Sequence, residues 1–452
     1  MIHKYKMNGF NIVMDINSGA IHIFDDLAYD MLDNLDENME ETVPEQVYNE
    51  HSDKYSKEEI EETYGELYDM YKKGLLFSKE QYSSDIKDKS IKSPIKSMCI
   101  NIAHDCNLRC EYCFADKGDF GGERMLMSEE TGKKAIDFLI KNSGNRYNLE
   151  VDFFGGEPLM NFEVVKKIVE YARSLEEKHN KKFRFTITTN GLLLTDDKID
   201  YINKEMSNVV LSLDGRKEIN DMLRKTKGGQ GSYDVIVPKY QKLVQTRGDK
   251  DYYVRGTFTK NNLDFTNDVL HINELGFDQI SVEPVVSDEK LEYSIKTEDI
   301  PRVYEEYEKL AKAIIKLKKQ GSKINFFHFM IDLDDGPCVI KRLKGCGCGN
   351  EYVAVTPQGD IYPCHQFVGK EEWKLGNLHD DSFNNDMKNT FSKANIYNKK
   401  GCNECWAKFY CSGGCNANNF EYEGDILSPH EISCALQKKR IECAIMVKAA
   451  LA

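Results

Sequence analysis

Three cysteines, Cys106, Cys110 and Cys113, stand within eight residues and carry the strongest chemical signal in the sequence. Their C-x3-C-x2-C spacing follows an apolar segment, residues 97–104, that is typical of a strand. Thiolates are ligands of zinc and iron–sulfur centres, and four of them close such a centre. Three ligands leave one position open. The run therefore predicts an inorganic centre at which a small molecule binds and reacts.

A second block of ten cysteines begins at Cys338, whereas residues 1–98 and 114–337 contain none. The N-terminus lacks the long apolar segment of a signal peptide, so we expect a cytoplasmic protein. Since that compartment is reducing, the cysteines favour metal or cluster ligation over disulfides. Cys99 and Cys443 fall in apolar segments and are expected in the core. Zinc is an alternative for the run Cys402-x2-Cys405-x5-Cys411-x3-Cys415 taken alone.

Length and charge limit the classes of function. A chain of 452 residues is long enough for two or three domains, since single cores stop growing near ~250–300 residues. The net charge of −14 argues against binding to a nucleic-acid backbone. No apolar run approaches the ~20 residues of a membrane helix. We expect neither a nucleic-acid nor a membrane partner, and a basic peptide or a small molecule matches this charge better.

Alternating strand-like and helix-like segments fill residues 96–330. Strands are predicted at 98–103, 149–154, 183–188, 208–213, 252–258 and 278–283. Helices are predicted between them at about 129–142, 161–180, 195–205, 232–247, 264–275 and 299–319. This alternation is typical of an α/β fold with a parallel sheet, and six units make a partial (β/α)6 barrel. In such folds chemistry gathers at the carboxyl ends of the strands, where the triple-cysteine loop falls.

Polar and glycine-rich turns end the strands that follow. Paired glycines allow a ligand to approach closely, and a glutamate accepts hydrogen bonds from an ammonium. Short polar side chains suit a ribose or a carboxylate, and an arginine pairs with a carboxylate. A simple tight turn and a surface arginine are the alternatives. The candidates are Gly155, Gly156, Glu157, Thr188, Asn190, Ser212, Asp214 and Arg224. No role is assigned to His104, His328 or His365, which lack paired ligand spacing.

The first 85 residues predict a small module made of a hairpin and two or three helices. The expected elements are strands at 5–16 and 20–24 around Asn17-Ser18-Gly19, helices at 26–35 and 57–73, a stop at Gly74 and a linker at 78–93. One interpretation is a stabilising cap for the next domain. The other is a peptide-binding module whose hairpin edge accepts an extended strand. The expected domains are 1–85, 94–330 and 331–452.

The order of these motifs resembles the radical S-adenosylmethionine (radical SAM) enzymes over residues 96–330. The resemblance implies that the triple-cysteine loop holds a [4Fe–4S] cluster with one iron free of protein ligands, which S-adenosylmethionine chelates. Tyr112 matches the aromatic residue near the adenine, and Gly155-Gly156-Glu157 the strand end that meets the methionine amino group. One electron from the cluster then breaks a C–S bond and gives a 5′-deoxyadenosyl radical. A small reductant such as flavodoxin or ferredoxin is the implied electron donor.

The C-terminal block resembles the SPASM extension, which carries two auxiliary [4Fe–4S] clusters, so three clusters are expected in all. By this resemblance Cys402, Cys405, Cys411 and Cys434 complete one cluster, and Cys346, Cys364 and Cys415 hold the other. The second set lacks a fourth ligand. Cys348 and Cys338 are candidates within the chain, and a substrate thiolate is the third. We expect the open site, because two cysteines separated by one glycine rarely reach two corners of a cube.

The combination resembles the maturases that build thioether (sactionine-type) crosslinks, most closely those for the SCIFF (six cysteines in forty-five residues) peptides. In such enzymes a winged-helix-like module binds the leader of a ribosomally made precursor, and residues 1–80 fit its size and element order. The implied reaction joins a peptide thiolate to a carbon from which the radical has taken a hydrogen. One alternative is a sulfatase-type maturase that oxidises cysteine or serine to formylglycine. Another is a non-catalytic iron–sulfur electron carrier.

Overall fold

The computed structural model describes residues 1–80, 93–333 and 342–452. In its N-terminal part a three-stranded antiparallel sheet packs against three helices. The elements are β1 Ile2–Met7, β2 Phe10–Asp15, β3 Ile21–Phe24, α1 Asp26–Met31, α2 Glu45–His51 and α3 Lys57–Lys72. The central strand is β2, so β1 and β3 form the two edges. Buried side chains such as Val13, Leu27 and Ile60 give this part a small core of its own.

The single strand expected over residues 5–16 is wrong, because a turn at Asn8 and Gly9 divides it. Both turn residues have positive φ, 53° and 83°. An Asn-Gly pair is a strong hairpin signal because both residues tolerate that backbone conformation. The two expected helices are confirmed, as is the stop at Gly74, where φ is 69°. Most of the expected linker lies outside the described residues.

Six parallel strands confirm the predicted β/α alternation. They are β4 Ser97–His104, β6 Asn148–Gly155, β7 Lys182–Thr189, β8 Asn208–Ser212, β9 Asp251–Phe258 and β10 Gln279–Pro284. The short β5 Met125–Leu126 pairs with β4, and β11 Asn325–Phe326 pairs with β10. Seven of the eight positions of β4 are buried, as in a strand covered on both faces. Among the described strands β4 and β10 do not pair with each other, so the sheet is open. Its curvature into a partial barrel stays a prediction.

Helices follow these strands and supply the other half of the main core. They are α4 Glu129–Asn142, α5 Phe162–His179, α6 Asp196–Glu205, α7 Lys217–Leu223, α8 Tyr233–Gln245, α9 Thr266–Glu274 and α10 Ile300–Lys319. Most of them contribute apolar side chains to the core that includes the sheet, for example Val165 and Ile168 of α5. In the parts of the chain that the structure describes, no helix is long and apolar enough to cross a membrane.

The C-terminal part continues the same sheet. β12 Tyr352–Val355 pairs in parallel with β4, and the antiparallel strands β13 Asp360–Tyr362, β14 Gly376–Asn377 and β15 Ser382–Phe383 extend it. The remaining helices are α11 Asn385–Lys393, α12 Lys408–Cys411, α13 Asn416–Glu423 and α14 Glu431–Leu451. The strand that leads into the first cysteine loop is thus hydrogen-bonded to a strand from the second cysteine block.

The last helix, α14, packs against one face of the N-terminal sheet. Tyr5 Oη donates a hydrogen bond of 2.8 Å to Glu442 O, and His3 Nε2 lies 3.0 Å from Glu442 Oε1. The His3 ring also stacks on Trp406 with a centroid separation of 3.7 Å. Among the described residues both edge strands, β1 and β3, pair only with β2.

Candidate functional site

A cavity of about 270 Å³ opens at the carboxyl ends of the parallel strands. Its walls come from the cysteine loop after β4 and from the ends of the strands that follow. It brings together all the candidate residues of this part of the chain except Asp214. They are Cys106, Cys110, Tyr112, Cys113, Gly155, Gly156, Glu157, Thr188, Asn190, Ser212 and Arg224.

The three thiols of the loop lie close enough to interact electrostatically. Burial raises the pKa of Cys106 to about 12 and that of Cys110 to about 11. Thiols with such pKa values stay protonated unless a cationic centre binds the thiolate. The donor set fits an iron–sulfur centre, because three soft sulfur ligands from one loop share one cavity.

Hydrogen bonds give the cysteine loop a defined shape. Arg109 N donates to Lys225 O at 2.7 Å, which fastens the loop to the segment after α7. The side chain turns back, and its Nη1 donates to the carbonyls of Cys106 and Leu108, both at 2.6 Å. The arginine of the motif therefore braces the loop from within.

Asp214 lies beneath the cavity rather than in its wall. It is fully buried, and its carboxylate accepts a 2.6 Å hydrogen bond from Tyr112 Oη and one of 2.9 Å from Thr257 N. Arg224 Nε lies 3.0 Å from the same carboxylate, with only 11% of the Arg224 side chain exposed. The expectation that Asp214 faces a ligand is therefore wrong, because protein groups occupy its oxygens. The surface-arginine alternative for Arg224 is wrong as well.

Glu157 is also engaged by the protein. Its carboxylate accepts hydrogen bonds from Leu159 N at 3.0 Å, Thr189 Oγ1 at 2.7 Å and Asn190 N at 2.8 Å. Burial raises the pKa of Glu157, while these bonds oppose that rise. These bonds tie the end of β6 to the end of β7. Glu157 also lines the cavity, and its expected role as an acceptor for an ammonium stays a prediction.

The two glycines before Glu157 are required by close packing against the cysteine loop. A Cβ at Gly155 would lie 2.3 Å from Ala103 O, and one at Gly156 would lie 2.1 Å from Asp105 O. Asn190 adds a second link, since its Nδ2 donates to Asn107 Oδ1 at 2.7 Å. The ends of β6 and β7 are thus held against the loop that carries the thiols.

Three further residues of the cavity wall are not singled out by the sequence: Arg255, Glu283 and His365. Arg255 Nη2 lies 3.0 Å from Glu283 Oε2. Burial alone would raise the pKa of Glu283, but Arg255 and the neighbouring cations hold it at about 2. A charged residue at the end of a predicted strand is a usable signal for Glu283. His365 follows Cys364, so it brings the C-terminal cysteine block to the cavity.

The C-terminal cysteines fall into two groups. Electrostatic interactions link Cys402 with Cys405, Cys411 and Cys434. A second set of interactions links Cys415 with Cys346 and Cys364. The grouping agrees with the two ligand sets implied by the SPASM resemblance, and ligation itself stays a prediction.

Cys348 joins the second group. Its thiol is hydrogen-bonded to Cys364 and interacts with the other two members. The glycines on both sides of it have φ of 74° and 68°, a conformation that turns the chain sharply. Four thiols of the chain thus come together in this group, and the choice between Cys348 and a substrate thiolate as fourth ligand stays a prediction. The other candidate, Cys338, lies outside the described residues.

Within residues 1–80, 93–333 and 342–452, no three His, Cys, Asp or Glu side chains are arranged to hold a single metal ion. A zinc site would bring its sulfurs to ~4 Å from one another, since Zn–S bonds are ~2.3 Å long. The described residues therefore give the zinc alternative no support. A [4Fe–4S] cluster binds each thiolate at a separate iron, so the thiols need not converge on one metal ion. The two groups of C-terminal thiols are compatible with such clusters.

Two parts of the chain match known protein families. Residues 100–254 match the Radical SAM superfamily, and residues 346–406 match the SPASM iron–sulfur cluster-binding domain. The first range contains the cysteine loop and the strand ends that surround the cavity. The second contains members of both C-terminal cysteine groups.

Known proteins resemble the chain over longer ranges. The cysteine-type anaerobic sulfatase-maturating enzyme of Clostridium perfringens is 24% identical over 71% of this chain and 89% of that protein. The solved structure of native anSMEcpe with bound AdoMet and Kp18Cys peptide is 23% identical and covers 79% of this chain and 99% of its own, with a TM-score of 0.64. Streptococcus suis SuiB bound to S-adenosylmethionine is 16% identical and covers 96% and 98%, with a TM-score of 0.56. These structural likenesses show a shared fold. With the two family matches, they establish that the chain carries a radical SAM domain followed by an iron–sulfur cluster-binding SPASM domain.

Proposed function

We propose that this chain is a radical SAM peptide maturase that joins a cysteine sulfur to a carbon in a ribosomally made, cysteine-rich peptide. The observation that carries the proposal is the N-terminal module, whose edge strand β3 borders a groove. The likeness to anSMEcpe covers 79% of the chain, whereas that to SuiB covers 96%. Formylglycine formation does not need such a module. A precursor with a leader needs a separate site to hold it.

The groove runs beside β3 and α3 and has a volume of about 400 Å³. Ile23 of β3 is 50% exposed, and Leu67 and Met70 of α3 also line the groove. An extended peptide adds to a strand edge through main-chain hydrogen bonds, and pockets beside the edge select its alternate side chains. We therefore assign the leader of the precursor to this groove.

In this proposal Cys106, Cys110 and Cys113 hold the [4Fe–4S] cluster, and S-adenosylmethionine occupies the adjoining cavity. When bound, these groups supply a radical that removes one hydrogen atom from the substrate. The chain places that hydrogen and excludes water. Tyr112, fixed by Asp214, offers a flat face to the adenine. The glycines that end β6 let the methionine part approach the backbone closely.

The proposed reaction replaces one C–H and one S–H bond of the peptide with one C–S bond. One hydrogen atom would leave with the radical, the thiol proton would go to solvent, and an auxiliary cluster held by the C-terminal cysteines would supply the acceptor for the remaining electron. Cys402, Cys405, Cys411 and Cys434 would hold one auxiliary cluster, and Cys346, Cys364 and Cys415 the other, with the substrate thiolate as its fourth ligand. His365, next to Cys364, lines the cavity of the first cysteine loop. This placement supports a peptide held between the two cysteine blocks.

A sulfatase-type maturase that forms formylglycine is the second candidate. Cys348 favours it, because a fourth thiol from the chain would complete the ligand set and leave no position for a substrate thiolate. The similarity to the Clostridium perfringens enzyme favours it as well.

Product analysis separates the two candidates. The protein with reconstituted clusters is incubated with S-adenosylmethionine, a reductant and a cysteine-rich precursor peptide that carries a leader. Thioether formation keeps all the sulfur, removes two hydrogen atoms per crosslink and makes a thiol resistant to alkylation. Formylglycine formation from cysteine removes sulfur and creates an aldehyde that reacts with hydrazides. An aldehyde product would overturn our proposal in favour of the second candidate.

A further inference from the structure

Lys399 lies between the two C-terminal cysteine groups. It is only 2% exposed, and its ammonium interacts electrostatically with thiols of both groups. Cys402 and Cys411 belong to the first group, and Cys346 and Cys415 to the second. Burial lowers the pKa of Lys399, while the neighbouring sulfurs oppose that decrease, so thiolates at these positions favour the charged ammonium.

Hydrogen bonds fix Lys399 at the segment that the two groups share. Lys399 Nζ donates to Gly413 O at 2.7 Å and to Asn416 Oδ1 at 2.6 Å. Gly413 stands between Cys411 and Cys415, each of which contributes its thiol to a different group. A Cβ at Gly413 would lie 2.6 Å from Lys399 Cδ, so the lysine packs directly on this segment.

The charge of Lys399 has no carboxylate to compensate it. Its two hydrogen-bond acceptors are neutral, and no Asp or Glu of the described residues forms an ion pair with it. A buried charge without a counter-charge is costly. The titratable groups that interact with the ammonium are the four thiols, which become anionic when they ligate iron.

Lys408 provides the contrast within the same part of the chain. It is also 2% exposed, but its Nζ lies 3.1 Å from Glu80 Oε1. A second bond of 3.1 Å joins it to Asn403 O. Lys408 is therefore compensated by a carboxylate, and Lys399 is not.

We propose that Lys399 is a positioning residue shared by the two auxiliary clusters, whose charge raises the reduction potential of both. The inference rests on the assignment of the two cysteine groups as cluster ligands in the proposed function. A cluster gains negative charge on reduction, and a nearby cation stabilises the more negative state. Net charge and hydrogen bonding around the sulfurs are established determinants of cluster potentials. Because one cation interacts with both cysteine groups, each cluster would be a better acceptor for the electron released when the C–S bond forms.

The test compares Lys399→Gln, which keeps hydrogen-bond donors and loses the charge, with Lys399→Arg, which keeps both. Potentials are measured on the holoenzyme by redox titration followed by electron paramagnetic resonance, with iron counted in every variant. We expect both auxiliary potentials to become more negative in Lys399→Gln and to stay near the wild-type values in Lys399→Arg. The potential of the cluster at the first cysteine loop serves as an internal reference. Lys408→Gln is the matched control and should leave all potentials unchanged.

Several outcomes overturn the inference: unchanged auxiliary potentials in Lys399→Gln, a shift in only one cluster, or equal shifts in the Gln and Arg variants. If Lys399→Gln loses auxiliary iron, retention in Lys399→Arg supports the charge role, and loss in both variants overturns it. A wild-type protein with iron for one cluster only would instead defeat the cluster assignment itself. The iron count thus separates failure of this inference from failure of the proposed function.

Discussion

Tyr112 Oη donates a hydrogen bond of 2.6 Å to Asp214 Oδ2, although 102 residues separate the two along the chain. The same carboxylate lies 3.0 Å from Arg224 Nε. The Arg224 guanidinium also sits 5.5 Å from the centre of the Tyr112 ring. One buried anion therefore orients both an aromatic ring of the cysteine loop and an arginine of the cavity wall.

Asp214→Asn should weaken both folding and cofactor binding, because Arg224 is left buried without its anion. Breaking a buried pair costs about 3–5 kcal/mol, and we expect the free energy of unfolding to fall by that order. The affinity for S-adenosylmethionine should drop at least about tenfold, which is about 1.4 kcal/mol. Denaturant unfolding and calorimetric titration measure the two quantities.

The control for this prediction is Asp264→Asn, whose carboxylate is 39% exposed and lies 2.8 Å from Arg216 Nη2. An exposed pair contributes less than about 1 kcal/mol, so this variant should remain close to wild type. Equal losses in the two variants would contradict a special role for Asp214.

Ile23→Glu should impair precursor binding without affecting the cofactor site. A carboxylate on the exposed edge of β3 would face an apolar part of the leader, and loss of one buried aliphatic contact weakens binding by about tenfold. Fluorescence anisotropy of a labelled leader peptide measures this affinity. Cleavage of S-adenosylmethionine without peptide should be unchanged. The control is Val235→Glu, because Val235 is another apolar side chain at the surface and is 48% exposed. Equal peptide affinity in the two variants would contradict the assignment of the leader to this groove.

A point variant is preferable to removal of the module. Tyr5 and His3 contact Glu442, so deleting residues 1–80 would uncover helix α14 and disturb the C-terminal part. A loss of activity in the deletion variant would therefore not distinguish loss of peptide binding from disturbance of the C-terminal part.

Cys348→Ser should keep the iron of all three clusters if a substrate thiolate is the fourth ligand of the second group. In that case addition of a precursor peptide changes the cluster absorption spectrum of the variant and of the wild type alike. Cys443→Ser, a buried thiol outside both groups, is the matched control. Loss of one cluster from Cys348→Ser alone would identify Cys348 as a ligand and favour the formylglycine candidate.

His328 predicts a loss of stability in acid. Burial, together with the nearby charge of Arg440, lowers its pKa from 6.5 to about 3. Arg440 Nη1 donates to His328 Nδ1 at 3.1 Å, which requires a neutral ring. Because the unfolded chain binds a proton that the folded chain excludes, the stabilising contribution is complete above pH 6.5 and is lost as the pH falls toward 3.

The expected decline of the free energy of unfolding from this group is at most about 1.4 kcal/mol per pH unit below 6.5. His328→Gln should reduce that slope, as measured by urea unfolding on both sides of pH 6.5. His179→Gln, on an exposed turn of α5, controls for the substitution itself. An unchanged slope in His328→Gln would show that the imidazole does not titrate in this way.

The parallel strands and the cysteine loop could be predicted from the sequence because each has a local signal. β4 is a largely apolar run buried on both faces, whereas β6 alternates buried and more exposed residues, and both begin within one residue of their predicted positions. The thiol spacing of the loop is local as well. The missed turn at Asn8 and Gly9 also carried a local signal, which the long apolar pattern around it obscured.

The roles of the buried carboxylates could not be predicted in this way. Glu157 and Asp214 follow strands, where a carboxylate serves a ligand or the protein with the same local sequence. Their actual partners, Thr189 and Tyr112, are fixed only when distant segments meet. The placement of Cys348 beside Cys364 likewise depends on the turn of the chain around it and on the pairing of β12 with β4.

The pairing of β12 with β4, from Tyr352 opposite Ser97 to Val355 opposite Ile100, has a consequence for the choice of substrate. The first cysteine loop follows β4, and Cys346 and Cys348 directly precede β12, so the pairing of these two strands limits the separation of the two cysteine blocks before any peptide binds. A fixed separation limits how many residues can lie between the cysteine and the acceptor residue of the peptide. A peptide whose cysteine lies too near to its acceptor residue, or too far from it, cannot place the cysteine at one block and the acceptor residue at the other at the same time. The ring size of a crosslinked product would thus be determined by a β-sheet.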